Sequence, residues 1–223
     1  MTARTLVLAH RGGALEAPEN SMESFVRAIR LGYHGVEIDV RSSRDGVLLV
    51  IHDEAVSTAA GGPPRRVAEA SALDLAAFPR LDEVLGLPWG DLTLMVEVKP
   101  TPRDLELGAL VAERVVARGP RNSVLASFSA AVLRAARERA PALALLALVD
   151  AETDESSFEG LALFGFGVDW KLVTPARVKG WKAGGRKLWA WTINDLERVA
   201  PVLAMGVDGV ITDVPGAVLK RFG

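Results

Sequence analysis

The stretch Gly35-Val36-Glu37-Ile38-Asp39-Val40 decides the fold. Apolar residues take every second position, and two carboxylates fill the gaps between them. Side chains of a strand alternate between its two faces, so Val36, Ile38 and Val40 share one face and Glu37 and Asp39 the other. The run Leu94-Met95-Val96-Glu97-Val98-Lys99 repeats the device. Val96 and Val98 suit a helix-covered face, Glu97 and Lys99 point the other way, and Pro100 ends the strand. Charge on the inward face, gathered near the strand ends, is poor core filling. It suits a parallel barrel, whose functional groups sit at the carboxyl ends of its strands.

Outward from these two strands the chain keeps one rhythm of short β-branched run, helical stretch and Gly or Pro punctuation. Further strands are expected at 6–10, 124–127, 144–148, 167–170, 187–192 and 209–212. The segment 47–52, after the turn Arg44-Asp45-Gly46, reads as a hairpin partner or extension of the second strand. Helices are expected at 21–31, 80–87, 104–118, 130–139, 175–183, 195–205 and 216–222, with a further one at 68–78. Asn20 with Glu23, and Asn194 with Glu197, read as capping boxes, Gly32 as a C-terminal stop, and Pro201 as a kink. Eight strand slots alternating with helices predict a (β/α)₈ TIM barrel, one domain with short loops. An open doubly wound sheet is the rival, but HRGG at 10–13 lacks the spacing of a nucleotide loop.

The chain has 223 residues, a net charge of −2 and no cysteine. Near-neutral charge argues against a nucleic-acid binder. No apolar run approaches the roughly 20 residues of a membrane span. Without a secretory h-region or any cysteine, a cytoplasmic location is expected. Any metal site must use oxygen or imidazole ligands.

Five signals fall at strand ends: His10-Arg11, Glu37-x-Asp39, His52-Asp53, Glu97-x-Lys99, and Trp189-x-Trp191 with Thr192 and Asn194. Three carboxylates suit one hard divalent cation, Mg²⁺ or Ca²⁺, with Mn²⁺ also fitting. Three negative charges, a divalent cation and the two cations Arg11 and Lys99 leave one net positive charge, which matches a phosphodiester. Arg11 offers a fork and Lys99 a point charge for phosphate oxygens. His10 and His52 are candidates for general acid and base across it. Trp191 is a candidate wall of the substrate pocket, and Ser127-Phe128 of its mouth. His34 reads as a surface loop residue, and Trp89 and Trp181 as packing. A glycosidase using the paired carboxylates leaves the histidines and Arg11 unexplained, and a non-catalytic anion binder has little use for two histidines.

In these residues the sequence resembles the glycerophosphodiester phosphodiesterase family. The matching strings are HRGG at 10–13, PENS at 18–21, VEIDV at 36–40, HD at 52–53, EVKP at 97–100, SF at 127–128, WTIN at 191–194 and GVDGVITDVP at 206–215. The resemblance implies a barrel in which Glu37, Asp39 and Glu97 bind the cation, His10 and His52 form the acid/base pair, and Arg11 and Lys99 hold the phosphate. It implies hydrolysis of small glycerophosphodiesters to glycerol 3-phosphate and an alcohol, by way of a cyclic phosphate formed by the neighbouring glycerol hydroxyl. A lysophospholipase D or a phosphodiesterase of phosphoglycerol polymers is the alternative use of the same site. The chain departs from the family pattern in its compact 54–92 region, with Ser57-Thr58-Ala59 where members often carry Arg-Thr-Thr. The resemblance implies that this region shapes the alcohol side of the site.

Overall fold

A computed structural model describes residues 5–57 and 63–223. The strands run β1 (Leu6–Ala9), β2 (Gly35–Ser42), β3 (Leu48–Val50), β4 (Ala55–Val56), β5 (Arg65–Arg66), β6 (Thr93–Val98), β7 (Ser123–Ser127), β8 (Ala144–Val149), β9 (Gly165–Asp169), β10 (Lys187–Trp191) and β11 (Gly209–Thr212). Eight of them pair in parallel in the order β1-β11-β10-β9-β8-β7-β6-β2, and β2 returns to β1 through Leu8 opposite Gly35. The barrel is closed. Helices α1 (Met22–Leu31), α2 (Leu81–Leu85), α3 (Asp104–Arg118), α4 (Ala130–Arg139), α5 (Pro175–Trp181), α6 (Leu196–Ala204) and α7 (Pro215–Phe222) cover its outside. Between β8 and β9 the crossover holds only the 3-10 turn Glu155–Phe158. No helix among the described residues is long and apolar enough to cross a membrane.

Alternation along the strands builds two apolar layers. Val36, Ile38, Val40, Val96 and Val98 face outward into the strand–helix core. Leu8, Met95, Val124, Ala126, Leu146, Leu148, Trp189 and Ile211 fill the barrel interior. That interior plug closes the barrel below Glu37, Asp39 and Glu97, so the polar groups gather above it at the carboxyl ends.

The hairpin explains where His52 goes. Strand β2 outruns the barrel, and β3 folds back antiparallel on its end, with Val40 opposite Val50. The Ile51 N–H then donates to the Asp39 carbonyl at 3.0 Å, which turns the next residue, His52, toward the mouth. A satellite cluster of Leu49, Ile51, Val67, Ala70 and Leu75 anchors this hairpin from outside.

Several local expectations are corrected. The expected helix at 68–78 is a 3-10 turn, Val67–Glu69, followed by irregular turns. The Ser71 hydroxyl and Asp74 carboxylate exchange hydrogen bonds with each other's backbone, and Asp45 accepts the Ala72 N–H at 2.9 Å, an alternative to helical pairing. The N-cap of α1 is Ser21, boxed with Ser24, because the N3 position falls on Ser24 and not on Glu23. Asp195 caps α6 and accepts the Glu197 N–H, while α6 runs through Pro201 as one helix. His34 is half-buried rather than a surface loop residue: its Nδ1 accepts the Val7 N–H at 3.1 Å. The packing readings of Trp89 and Trp181 hold, with indole N–H groups donating to Val84 and Glu155. Of the departures noted at 57–59, residues 58 and 59 lie outside the described residues, as do Gly61 and Gly62.

The loop after β1 is pinned by Glu16. Its carboxylate accepts from the Tyr33 hydroxyl at 2.6 Å, from Arg27 at 2.7 Å, and from the Gly216 N–H at the start of α7 at 2.9 Å. Burial opposes ionisation, but these donors hold the Glu16 carboxyl below its usual range. A depressed folded-state pKa stabilises the fold above the unfolded value and loses that contribution as pH falls through the folded one. Glu16→Gln is therefore expected to cost about 1–2 kcal/mol at pH 7 and progressively less below pH 4.5, as urea titrations at both pH values would measure. An equal cost at pH 7 and pH 3 would refute this reading.

Candidate active site

The first turn after β1 is strained. Arg11 holds φ 50° and Asn20 φ 48°, a left-handed conformation that costs non-glycine residues about 1–3 kcal/mol each. The Arg11 carbonyl accepts the Asn20 N–H at 2.9 Å, and the Arg11 N–H donates to Glu37 at 3.0 Å. Gly12, at φ 86°, has no room for a side chain: a Cβ would stand 2.2 Å from the Ser24 hydroxyl. Gly12→Ala is expected to destabilise the fold by about 3 kcal/mol and to displace Arg11. A Tm within 2–3 °C of wild type, roughly the shift from 1 kcal/mol, would contradict this.

The turn and the strand ends bring the expected residues together. His10, Arg11, Glu37, His52, Glu97, Lys99 and Trp191 line one cavity of about 200 Å³, floored by Met95, Leu148 and Ile211. Asp39 lies buried directly against it. Phe128 joins the lining and packs edge-on to Trp191, ring centroids 5.7 Å apart.

Glu37, Asp39 and Glu97 are buried and offer three carboxylate oxygens all within 4.8 Å of one another. Lys99 lies 2.7 Å from Asp39 and 2.6 Å from Glu97. Arg11 approaches Asp39 at 3.3 Å and Glu19 at 2.9 Å, and the Asn20 amide donates to Asp39 at 2.8 Å. These cations do not balance the site. Glu37 Oε1 is buried with no hydrogen-bond partner. Burial and the neighbouring Asp39 charge push the Glu37 carboxyl up to about 8, and burial raises Glu97 too. Asp39, also opposed by burial, is held below its usual range by Lys99, His52 and Arg11. A hard divalent cation fits this set, because it supplies the missing charge and a partner for the orphaned oxygen.

The two histidines have different surroundings. His10 donates from Nδ1 to Asp213 at 2.7 Å and turns Nε2 toward Glu37, 3.9 Å away. Burial opposes its protonation, but Asp213 and Glu37 outweigh this and raise its pKa. His52 pairs through Nδ1 with Asp53 at 2.8 Å, and burial lowers its pKa. The Arg41 guanidinium donates to the His52 carbonyl at 2.8 Å and ties the hairpin end to β2.

Asn20 and Asn194 read as caps, and Glu19 and Asp213 have no assigned role in the sequence, yet all four contact the site. Asp213 follows β11, the last strand, 203 positions along the chain from His10, and only barrel closure makes β1 and β11 neighbours. The available signal was the position of Asp213, a carboxylate in the string at 206–215 directly after an expected strand.

The match to known proteins extends the geometry. The model of the glycerophosphoryl diester phosphodiesterase family matches residues 10–217. The chain belongs to that family. It is 30% identical over 238 residues to the glycerophosphodiester phosphodiesterase of Caldanaerobacter subterraneus subsp. tengcongensis, covering 97% of each chain. Among solved structures it resembles an Oleispira antarctica phosphodiesterase in complex with the product sn-glycerol-3-phosphate, at 25% identity and a TM-score of 0.87, over 97% of this chain and 96% of that one. The Thermotoga maritima glycerophosphodiester phosphodiesterase superposes with a TM-score of 0.81 at 26% identity, over 99% of each chain. Members of the glycerophosphodiester phosphodiesterase family are phosphoric diester hydrolases, and this chain shares their barrel fold.

Proposed function

We propose that this single-domain barrel hydrolyses glycerophosphodiesters to sn-glycerol 3-phosphate and an alcohol. The observation that carries the reading is the convergence of two histidines, two cations and the carboxylates of Glu37 and Glu97 on one cavity, with buried Asp39 completing the acidic cluster. The product complex of the Oleispira antarctica relative supports the substrate class. Glu37, Asp39 and Glu97 would hold one divalent cation, Mg²⁺ or Ca²⁺, with Mn²⁺ as a further fit. When bound, that ion supplies Lewis-acid polarisation of a phosphoryl oxygen.

Arg11 and Lys99 orient the phosphate, and Trp191 with Phe128 walls the organic part of the substrate. One histidine takes the proton of the glycerol hydroxyl beside the phosphate as that oxygen bonds to phosphorus. The other gives its proton to the departing alcohol oxygen, leaving a cyclic phosphate. In the second half the roles reverse: water loses a proton to the histidine that is now neutral, its oxygen attacks phosphorus, and the ring oxygen takes back the other proton. Both histidines return to their starting states.

A grid of Mg²⁺, Ca²⁺ and Mn²⁺ against glycerophosphocholine, glycerophosphoethanolamine and lysophosphatidylcholine tests the reading through alcohol release. Metal-stimulated turnover of the small diesters is expected. Turnover confined to lysophosphatidylcholine would favour a lysophospholipase D, and no turnover of any diester would remove the proposal.

A further inference from the structure

We propose that Asn194 and Asp213 form a relay that fixes the tautomer of His10, so that its Nε2, and not Nδ1, faces the reacting groups. The inference rests on the catalytic role proposed for His10 and deepens it. Asn194 touches nothing in the cavity, yet its amide orientation is fully determined. Its Oδ1 accepts the Asp213 N–H at 2.8 Å and the Thr212 hydroxyl at 3.2 Å. The Thr212 oxygen already accepts the Val214 N–H at 3.2 Å, which leaves its proton for Asn194. A flipped amide would set NH₂ against two donors, so Nδ2 must face Asp213, and it donates to Oδ2 at 2.6 Å. The other carboxylate oxygen, Oδ1, is then the acceptor for His10 at 2.7 Å. A carboxylate accepts only, so Nδ1 carries the proton and Nε2 is free to take or give one.

The relay makes an unusual demand on substitutions. In Asp213→Asn the amide of Asn194 still donates, so the oxygen of the new amide must turn toward Asn194 and its NH₂ toward His10. His10 Nδ1 then has to accept, Nε2 carries the proton, and neither base nor acid work is left to it. The double change Asn194→Asp with Asp213→Asn reverses this. The carboxylate at 194 accepts from the amide at 213, whose oxygen turns back to the His10 Nδ1–H. A merely structural pair would lose more in the double variant than in either single one.

The test compares kcat and KM of wild type, His10→Ala, Asp213→Asn, Asn194→Asp and the double variant, with thermal melts to certify folding. Asp213→Asn is expected to lose about 10³-fold or more in kcat with KM near wild type, a wrong-tautomer effect. Asn194→Asp is expected to lose about tenfold or more through facing carboxylates, and the double variant to recover at least about tenfold over Asp213→Asn. Nitrogen-15 NMR of His10 in the wild-type protein, recorded above the pH at which the ring titrates, is expected to show the proton on Nδ1. A proton on Nε2 would overturn the proposal whether or not any variant folds. A folded Asp213→Asn within about tenfold of wild type, beside an inactive His10→Ala, would overturn the relay and leave the function standing. An active His10→Ala would instead remove the function proposed for that histidine.

Discussion

Alanine at His10 or at His52 is expected to lower kcat about 10²–10⁴-fold in each case, with little change in KM. Both imidazoles lie at the cavity rim, and their side chains are 19% and 34% exposed, so truncation opens no core cavity. Circular dichroism and melting temperature should stay near wild type. Each ring stands on its own carboxylate, Asp213 or Asp53. Acid and base work as a unit, so the double alanine variant should be little worse than the poorer single one. A single variant keeping more than about a tenth of wild-type kcat would show that its histidine moves no proton in the rate-limiting step.

The second large effect concerns the three carboxylates. Removing the divalent cation with a chelator is expected to abolish turnover, and restoring it at about 100 times its Kd to stabilise the fold by about 2.7 kcal/mol. For a chain of this length that is a rise of about 5–10 °C in Tm. Glu37→Gln separates the two sides of the argument. Without cation, it relieves the repulsion among buried carboxylates and should melt above the wild-type protein, by about 1–3 kcal/mol. With cation, it should show neither stabilisation nor activity. Wild-type melting curves indifferent to Mg²⁺, Ca²⁺ and Mn²⁺ would rule out a metal centre at these residues.

The alternation in Val36-Glu37-Ile38-Asp39-Val40 carried the fold and the acidic cluster together, because strand geometry leaves no choice about which side chains share a face. Where the chemistry competed with a local rule, the sequence misled. Asn20 and Asn194 both look like helix caps, yet both are spent on the site, one on Asp39 and the other on Asp213. Their neighbours Ser21 and Asp195 do the capping. The charge balance drawn from three carboxylates and two cations also left out Glu19 and Asp213, which claim Arg11 and His10.

The pattern of residues alone determined that strands and helices alternate, that eight strand slots suit a closed barrel, and that acidic groups crowd at the strand ends. These are local or periodic properties, written every two residues in a strand and every three or four in a helix. Only the tertiary structure decided which carboxylate stands behind which histidine. Asp213 meets His10 across 203 positions of sequence because β1 and β11 are neighbours in the closed barrel, and His52 reaches the mouth because β3 folds back on β2. Hydrogen bonds extend only about 3 Å, so partners so far apart along the chain are chosen by strand register, which no local spacing encodes.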